Sequence, residues 1–178
     1  MLKLLRDSRL NLIWTLLRIW LGWQWLNAGL HKITDPKWID GGLALKGYWA
    51  KAVGALPNST PAIKYGWYQS FIEGLLNGGH YTWFSKLVIF GEIATGIALI
   101  LGAATVFALI TGAFMNLNFM LAGTASTNPV LYTAAILLLV AGAGAYYYGL
   151  DNLIIKFVLK KKNLLKRERA DESATGIV

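Results

Sequence analysis

Residues 84–123 read FSKLVIFGEIATGIALILGAATVFALITGAFMNLNFMLAG, forty residues in which Lys86 and Glu92 are the only charges. A bilayer crossing takes about 20 mostly apolar residues at 1.5 Å each. The segment therefore holds two spans, 84–103 and 104–123, with Gly102, Ala103 and Ala104 as almost the only break. So short a connection makes the pair an antiparallel hairpin. Upstream, residues 10–30 (LNLIWTLLRIWLGWQWLNAGL) predict another span, read as retained because it carries Arg18 and lacks a small-residue cleavage site. Downstream, the polar turn 123–129 ends in Pro129, which suits the first turn of a fourth span over 130–150. The expected fold is an all-α integral membrane protein, a four-transmembrane-helix bundle.

Composition agrees. Of 178 residues, 56% are apolar and only 15% are charged, where about 25% charged is usual for a soluble domain. Mean hydropathy is +0.47, which excludes a disordered chain and argues against an ordinary cytosolic enzyme. The absence of cysteine removes disulfide scaffolds, thiolate metal sites and iron–sulfur ligation by this chain. Two histidines cannot build a three-histidine metal site, and no metal is expected.

The net charge of +8 would suggest nucleic acid in a soluble protein, but its distribution points to a membrane instead. Ten lysines and arginines flank the first and fourth spans on the side shared by both termini, against six over the much longer segment opposite. The positive-inside rule then puts the N- and C-termini in the cytoplasm of a multi-pass cell-membrane protein. Residues 1–155 form the membrane domain and 156–178 a basic cytoplasmic tail suited to anionic lipid. The extracytoplasmic insert, 31–83, is rich in tryptophan and tyrosine, which favour the water–lipid boundary. Helices are expected over 42–54 and 61–77 of this insert, lying on the bundle as a lid.

Charges at bilayer depth cost about 2.5–3.5 kcal/mol on insertion scales, and Arg18 and Glu92 bear that cost. Counted from the predicted span ends, their backbones lie about 6 Å apart in height, so an Arg18–Glu92 ion pair inside the bundle is expected. Such a pair serves equally well to fix helix register or to relay a proton. Arg18, Gly22, Trp25, Gly29 and Lys32 share one helical stripe, and Glu92, Gly96, Leu99 and Ala103 share another. Glycines on such stripes allow close helix approach. Gln24, Asn27, Asn116 and Asn118 are intramembrane amides, which usually bond between helices. Asn116, in line with Gly112, is the better site candidate. Asp151 emerges at the cytoplasmic boundary, to cap a helix or to pair with Lys156. His31 and His80, with Lys32, lie at the outer mouth and would draw in small anions; haem ligation by the two histidines is the less expected use.

Three motifs in order carry a resemblance: R-x3-G-x2-W-x3-G-x2-K from Arg18 to Lys32, E-x3-G-x2-L-x2-G from Glu92 to Gly102, and AGAGAYYYGLD from Ala141 to Asp151. Over residues 10–153 the chain resembles the DoxX/DoxD family of small four-span membrane proteins. That resemblance implies a membrane bundle linked to redox chemistry. DoxD-type members are similar to the membrane subunit of thiosulfate:quinone oxidoreductase, which oxidises thiosulfate to tetrathionate and passes electrons to quinone. It supplies no catalytic residue list.

The leading reading is a quinone-linked redox subunit. In it Glu92 and Arg18 carry the chemistry; Trp25, Gln24, Asn116, Gly22 and Gly96 line a quinone site; and His31, Lys32 and His80 receive the substrate. A redox protein partner would supply electrons unless transfer is direct, and a homo-oligomer is compatible with the bundle. The alternatives are a non-catalytic scaffold that docks a soluble redox enzyme through its basic tail, and a small-solute transporter or binder.

Overall fold

The computed structural model describes the backbone of residues 5–175 and the side chains of residues 5–163. Every regular element among them is helical. After a 3-10 turn at Ser8–Leu10 come α1 (Asn11–Ile33), α2 (Pro36–Ile39), α3 (Leu43–Ala52), α4 (Gly66–Asn77), α5 (Tyr81–Leu101), α6 (Thr105–Leu121), α7 (Asn128–Ala141), α8 (Ala143–Tyr146) and α9 (Leu150–Thr175).

The bundle is formed by α1, α5, α6 and α7 with its short continuation α8. Helices α1 and α5 run antiparallel and make the most extensive contact in the molecule. Glycine explains their closeness. A Cβ on Gly96 would lie 2.5 Å from the backbone nitrogen of Leu26, and one on Gly22 would lie 2.9 Å from the carbonyl oxygen of Gly96. Only hydrogen fits between the two backbones. Trp14, Leu21, Trp25, Leu99, Leu109, Leu131 and Leu138 fill the core.

The bundle is apolar outside and partly polar inside. Phe90, Phe107, Ile110 and Phe114 project outward from α5 and α6, with Phe107 73% exposed, while Arg18, Glu92, Thr95, Thr105 and Asn116 are buried. A soluble monomer rarely shows so large an apolar surface. Among the described residues α5 alone is long and apolar enough to cross a bilayer by itself. The shorter apolar helices are α6, with 17 residues, and α7, with 14.

The predicted span 130–150 is interrupted. Its helix ends at Ala141, and Gly142 has φ 60° and ψ −121°, a conformation open in practice only to glycine. The chain resumes as α8, where Gly144 packs against Trp14 of α1.

The insert is a small helical layer over the end of the bundle where α1 finishes and α5 begins. Its own core joins Leu45 and Trp49 of α3, Val53, Ile63, and Tyr68 and Ile72 of α4 to Ala122 at the end of α6. The expected helix over 61–77 is shorter, beginning at Gly66. In the chain before it, Ala62 and Ile63 donate to the carbonyl of Ala52 and pin the segment to the end of α3. At the opposite end of the molecule α9 leaves the bundle, with Leu153, Ile154, Phe157 and Val158 exposed. The side chains of Lys166, Arg167 and Arg169, counted in the basic tail, lie outside the described residues, as does Lys3.

Candidate functional site

The expected Arg18–Glu92 pair does not form. Glycine packing sets the reason. A Cβ on Gly29 would lie 3.3 Å from Glu92 Cβ, so Gly29 is the residue of α1 level with Glu92. Arg18 stands eleven residues earlier, about 16 Å away along the axis at 1.5 Å per residue. Predicted span ends put the two at nearly one height, which the packing overrides. The close α1–α5 seam, not the span limits, fixes the register.

Glu92 pairs with Lys32, whose Nζ is 2.8 Å from both carboxylate oxygens. Glu92 is 1% exposed and the Lys32 side chain 20%. The lysine also lies over the Trp38 ring of the insert, 5.1 Å from its centroid. The pair borders a chamber of about 350 Å³ lined by Gln24, Trp25, Asn27, Tyr48, Phe119 and Asn128 among others. Volumes of this order suit small-molecule sites. Here sequence-expected Trp25, Gln24 and Lys32 meet Glu92, and Trp38, Tyr48 and Asn128 join them from segments that give no local signal of a site.

Two buried side chains, Trp25 of the chamber lining and Asn116, which lies outside that lining, hold polar atoms without a partner among the described residues. Trp25 Nε1 has no acceptor, and neither carboxamide atom of Asn116 is bonded. Asn116 is one helical turn beyond Gly112, whose absent Cβ would lie 2.9 Å from Trp25 Nε1. Leaving such groups dry and unpaired costs about 1–3 kcal/mol each, so they are the natural partners of a polar ligand or water.

Tyr48 and Tyr68 close the insert side. The Tyr48 hydroxyl bonds Thr124 Oγ1 at 2.7 Å and donates to the Phe119 carbonyl at 3.3 Å. The Tyr68 hydroxyl donates to the Asn118 carbonyl and side-chain oxygen, both at 3.1 Å. Burial raises both phenols above the ordinary tyrosine value, Tyr68 to about 12, so both stay protonated donors.

Arg18 has a different place. Its guanidinium donates to the carbonyls of Leu99 and Ile100, at the C-terminal end of α5, and to that of Tyr148. Asp151 completes this joint. Its two oxygens accept from the backbone N–H groups of Ala104 (2.8 Å) and Thr105 (2.7 Å) at the start of α6. A cation thus stands at the negative end of one helix and an anion at the positive end of the next. Of the two roles open to Asp151, it takes the cap; Lys156 lies over the Tyr147 ring instead.

Gly22 and Gly96, expected at a quinone site, are filled by the helix seam and leave no room for a ligand. His31 and His80 are exposed and outside the chamber lining. His80 Nδ1 accepts from Trp83 Nε1 at 3.2 Å. The outer-mouth trio is therefore split, because only Lys32 turns inward.

A family model described as "TQO small subunit DoxD" matches residues 14–168. No curated protein and no solved structure matches the chain.

Proposed function

Since the chain belongs to the DoxD family, we propose that it is a quinone-linked redox subunit of the membrane, working at the chamber bordered by Lys32 and Glu92. The reading places α1, α5, α6 and α7–α8 across the bilayer, with both termini in the cytoplasm and the insert on the outer face. The outward phenylalanines of α5 and α6 and the lysines of α9, Lys156 and Lys160 to Lys162, support that placement.

The observation that carries the reading is the buried carboxylate held by one lysine at the edge of a chamber walled by Trp25, Gln24 and Asn27. A quinone becomes a quinol by taking two electrons and two protons. Glu92 takes up one proton from the medium and relays it to a quinone oxygen, and Lys32 and the unpartnered Trp25 Nε1 donate hydrogen bonds to the charge that builds there. With thiosulfate as donor, two ions give one electron each and join through a new S–S bond as tetrathionate. Two protons from the medium complete the balance. The Lys32–Glu92 pair faces the insert, the side from which an anionic donor arrives in this topology.

The test is quinone reduction by the purified protein in vesicles with thiosulfate and a quinone analogue. Glu92→Gln is expected to lower turnover at least 100-fold, in the usual range for loss of an acid–base group, while the protein stays folded. Turnover unchanged by Glu92→Gln removes the role given to the carboxylate, and no reduction by the unaltered protein, alone or with a membrane extract, removes the redox reading.

A second reading is favoured by α9, which projects from the bundle with Lys160, Lys161 and Lys162 exposed. In that reading the chain is a scaffold and α9 docks a soluble redox enzyme. Truncation at residue 159 separates the two, since it abolishes partner recovery and leaves quinone binding at the chamber intact.

A further inference from the structure

A second chamber, of about 450 Å³, lies between the insert helices α3 and α4 and the bundle helices α5 and α6. Its character is opposite to that of the first. Leu45, Trp49, Ile72, Leu75, Phe84 and Val88 make its walls, and no charged side chain among the described residues lines it. Beside the Trp49 indole, its polar side chains among the described residues are Tyr48, Tyr68, Thr111 and Asn118, and the last of these is already bonded to the Tyr68 hydroxyl.

Two features say what such a space accepts. First, Phe71, Leu87 and Phe114 belong to its lining and are also half or more exposed on the flank of the molecule. The chamber thus reaches the same apolar surface that α5 and α6 turn outward, so an occupant enters sideways from hydrocarbon. Second, Tyr48 and Phe119 line both chambers. These two residues stand between the apolar space and the Lys32–Glu92 chamber, and the Tyr48 hydroxyl donates to the Phe119 backbone carbonyl.

We propose that the apolar chamber holds the hydrocarbon chain of a membrane-soluble ligand whose polar ring occupies the Lys32–Glu92 chamber, with Tyr48 and Phe119 as the collar between them. The inference rests on the quinone reading for the identity of the ring; the chain site rests on the lining alone. A single long isoprenoid-type chain is the occupant, because the chamber is one continuous apolar space with a lateral opening and no cation to hold a phosphate or carboxylate head.

The experiment compares three probes on the full chain in detergent, read by quenching of its tryptophan fluorescence: a benzoquinone without a chain, the same quinone with a decyl or longer chain, and a polyprenyl alcohol. Val88→Trp and Leu75→Phe fill the chamber from opposite walls, so a folding failure of one leaves the other. The chain-bearing quinone is expected to bind at least 30-fold tighter than the chainless one, and each variant to remove most of that gain while chainless binding stays unchanged. A diazirine at the chain end is expected to label α4 or α5 near Leu75 and Val88. A chain gain untouched by both variants, or labelling confined to Phe90 and Phe107 on the outer flank, overturns the chain site and leaves the ring site standing. Polyprenyl alcohol binding that both variants abolish, with no quinone bound, upholds the chain site and overturns the redox reading.

Discussion

Lys32 Nζ stands 2.8 Å from each oxygen of Glu92, although sixty residues separate the two in the chain. This bond ties the last turn of α1 to the middle of α5 on the side facing the insert. Neither charge is spare. The carboxylate needs the lysine to remain ionised in an apolar setting, and the lysine needs the carboxylate to turn inward from a helix end.

Removing one partner therefore costs more than removing both. Lys32→Met and Glu92→Gln are each expected to destabilise the protein by about 2–4 kcal/mol, because each leaves a buried polar group without its partner. The double variant should recover about 1–3 kcal/mol of the sum. Unfolding in mixed micelles measures all three, and strict additivity would show that the pair does not act as a unit.

Arg18 and Glu92, in contrast, share no partner and lie about 16 Å apart along α1 and α5. Their effects should add. A double variant of Arg18→Lys and Glu92→Gln is expected to fall within about 0.5 kcal/mol of the sum of the two single losses. Arg18→Lys alone destabilises, since a lysine cannot reach the carbonyls of Leu99 and Tyr148 together. A coupling of 1 kcal/mol or more would restore the direct link that the register denies.

Much of the bundle was legible before the structure, and the misreading of Arg18 shows where legibility stops. The hairpin of α5 and α6 follows from forty residues with two charges, and the Gly22–Gly96 approach follows from the small residues on two stripes. Which residues stand level across that approach depends on packing to within one turn. Span limits read from hydropathy are looser than that, and they put the lysine at the end of α1 at the mouth and the arginine at the centre. The break at Gly142 was equally hidden, since glycine within an apolar run is common in membrane helices. Tyr48 and Trp38 enter the chamber only because the insert folds back, a long-range event without local periodicity.

The hairpin joint offers a gain in stability. Ala104 has φ 48° and ψ 38°, left-handed for a residue with a Cβ. Ala104→Gly removes a penalty of about 1 kcal/mol. Asp151→Asn acts in the opposite direction, because an amide offers one oxygen where two backbone N–H groups are bonded; a loss of about 1 kcal/mol is expected. Midpoints of thermal unfolding should rise for the first variant and drop for the second. Movement in the reverse sense would mean the turn is held by something other than this cap.

Alkaline pH offers the last prediction. Burial raises the Tyr68 phenol to about 12, from 10 in an exposed chain. Between those values the unfolded chain gives up the proton and the folded protein keeps it, so the folded state binds more protons and stability falls as pH rises. The contribution is full below pH 10, declines through the window and is gone above about 12. Lysines titrate in the same range, so the comparison that isolates the phenol is Tyr68→Phe. That variant loses the hydrogen bonds to Asn118 and starts less stable, but its decline from pH 10 to 12 should be shallower. Parallel declines for the two proteins would mean that the Tyr68 hydroxyl meets water freely, and that the insert does not seal the wall it shares with α6.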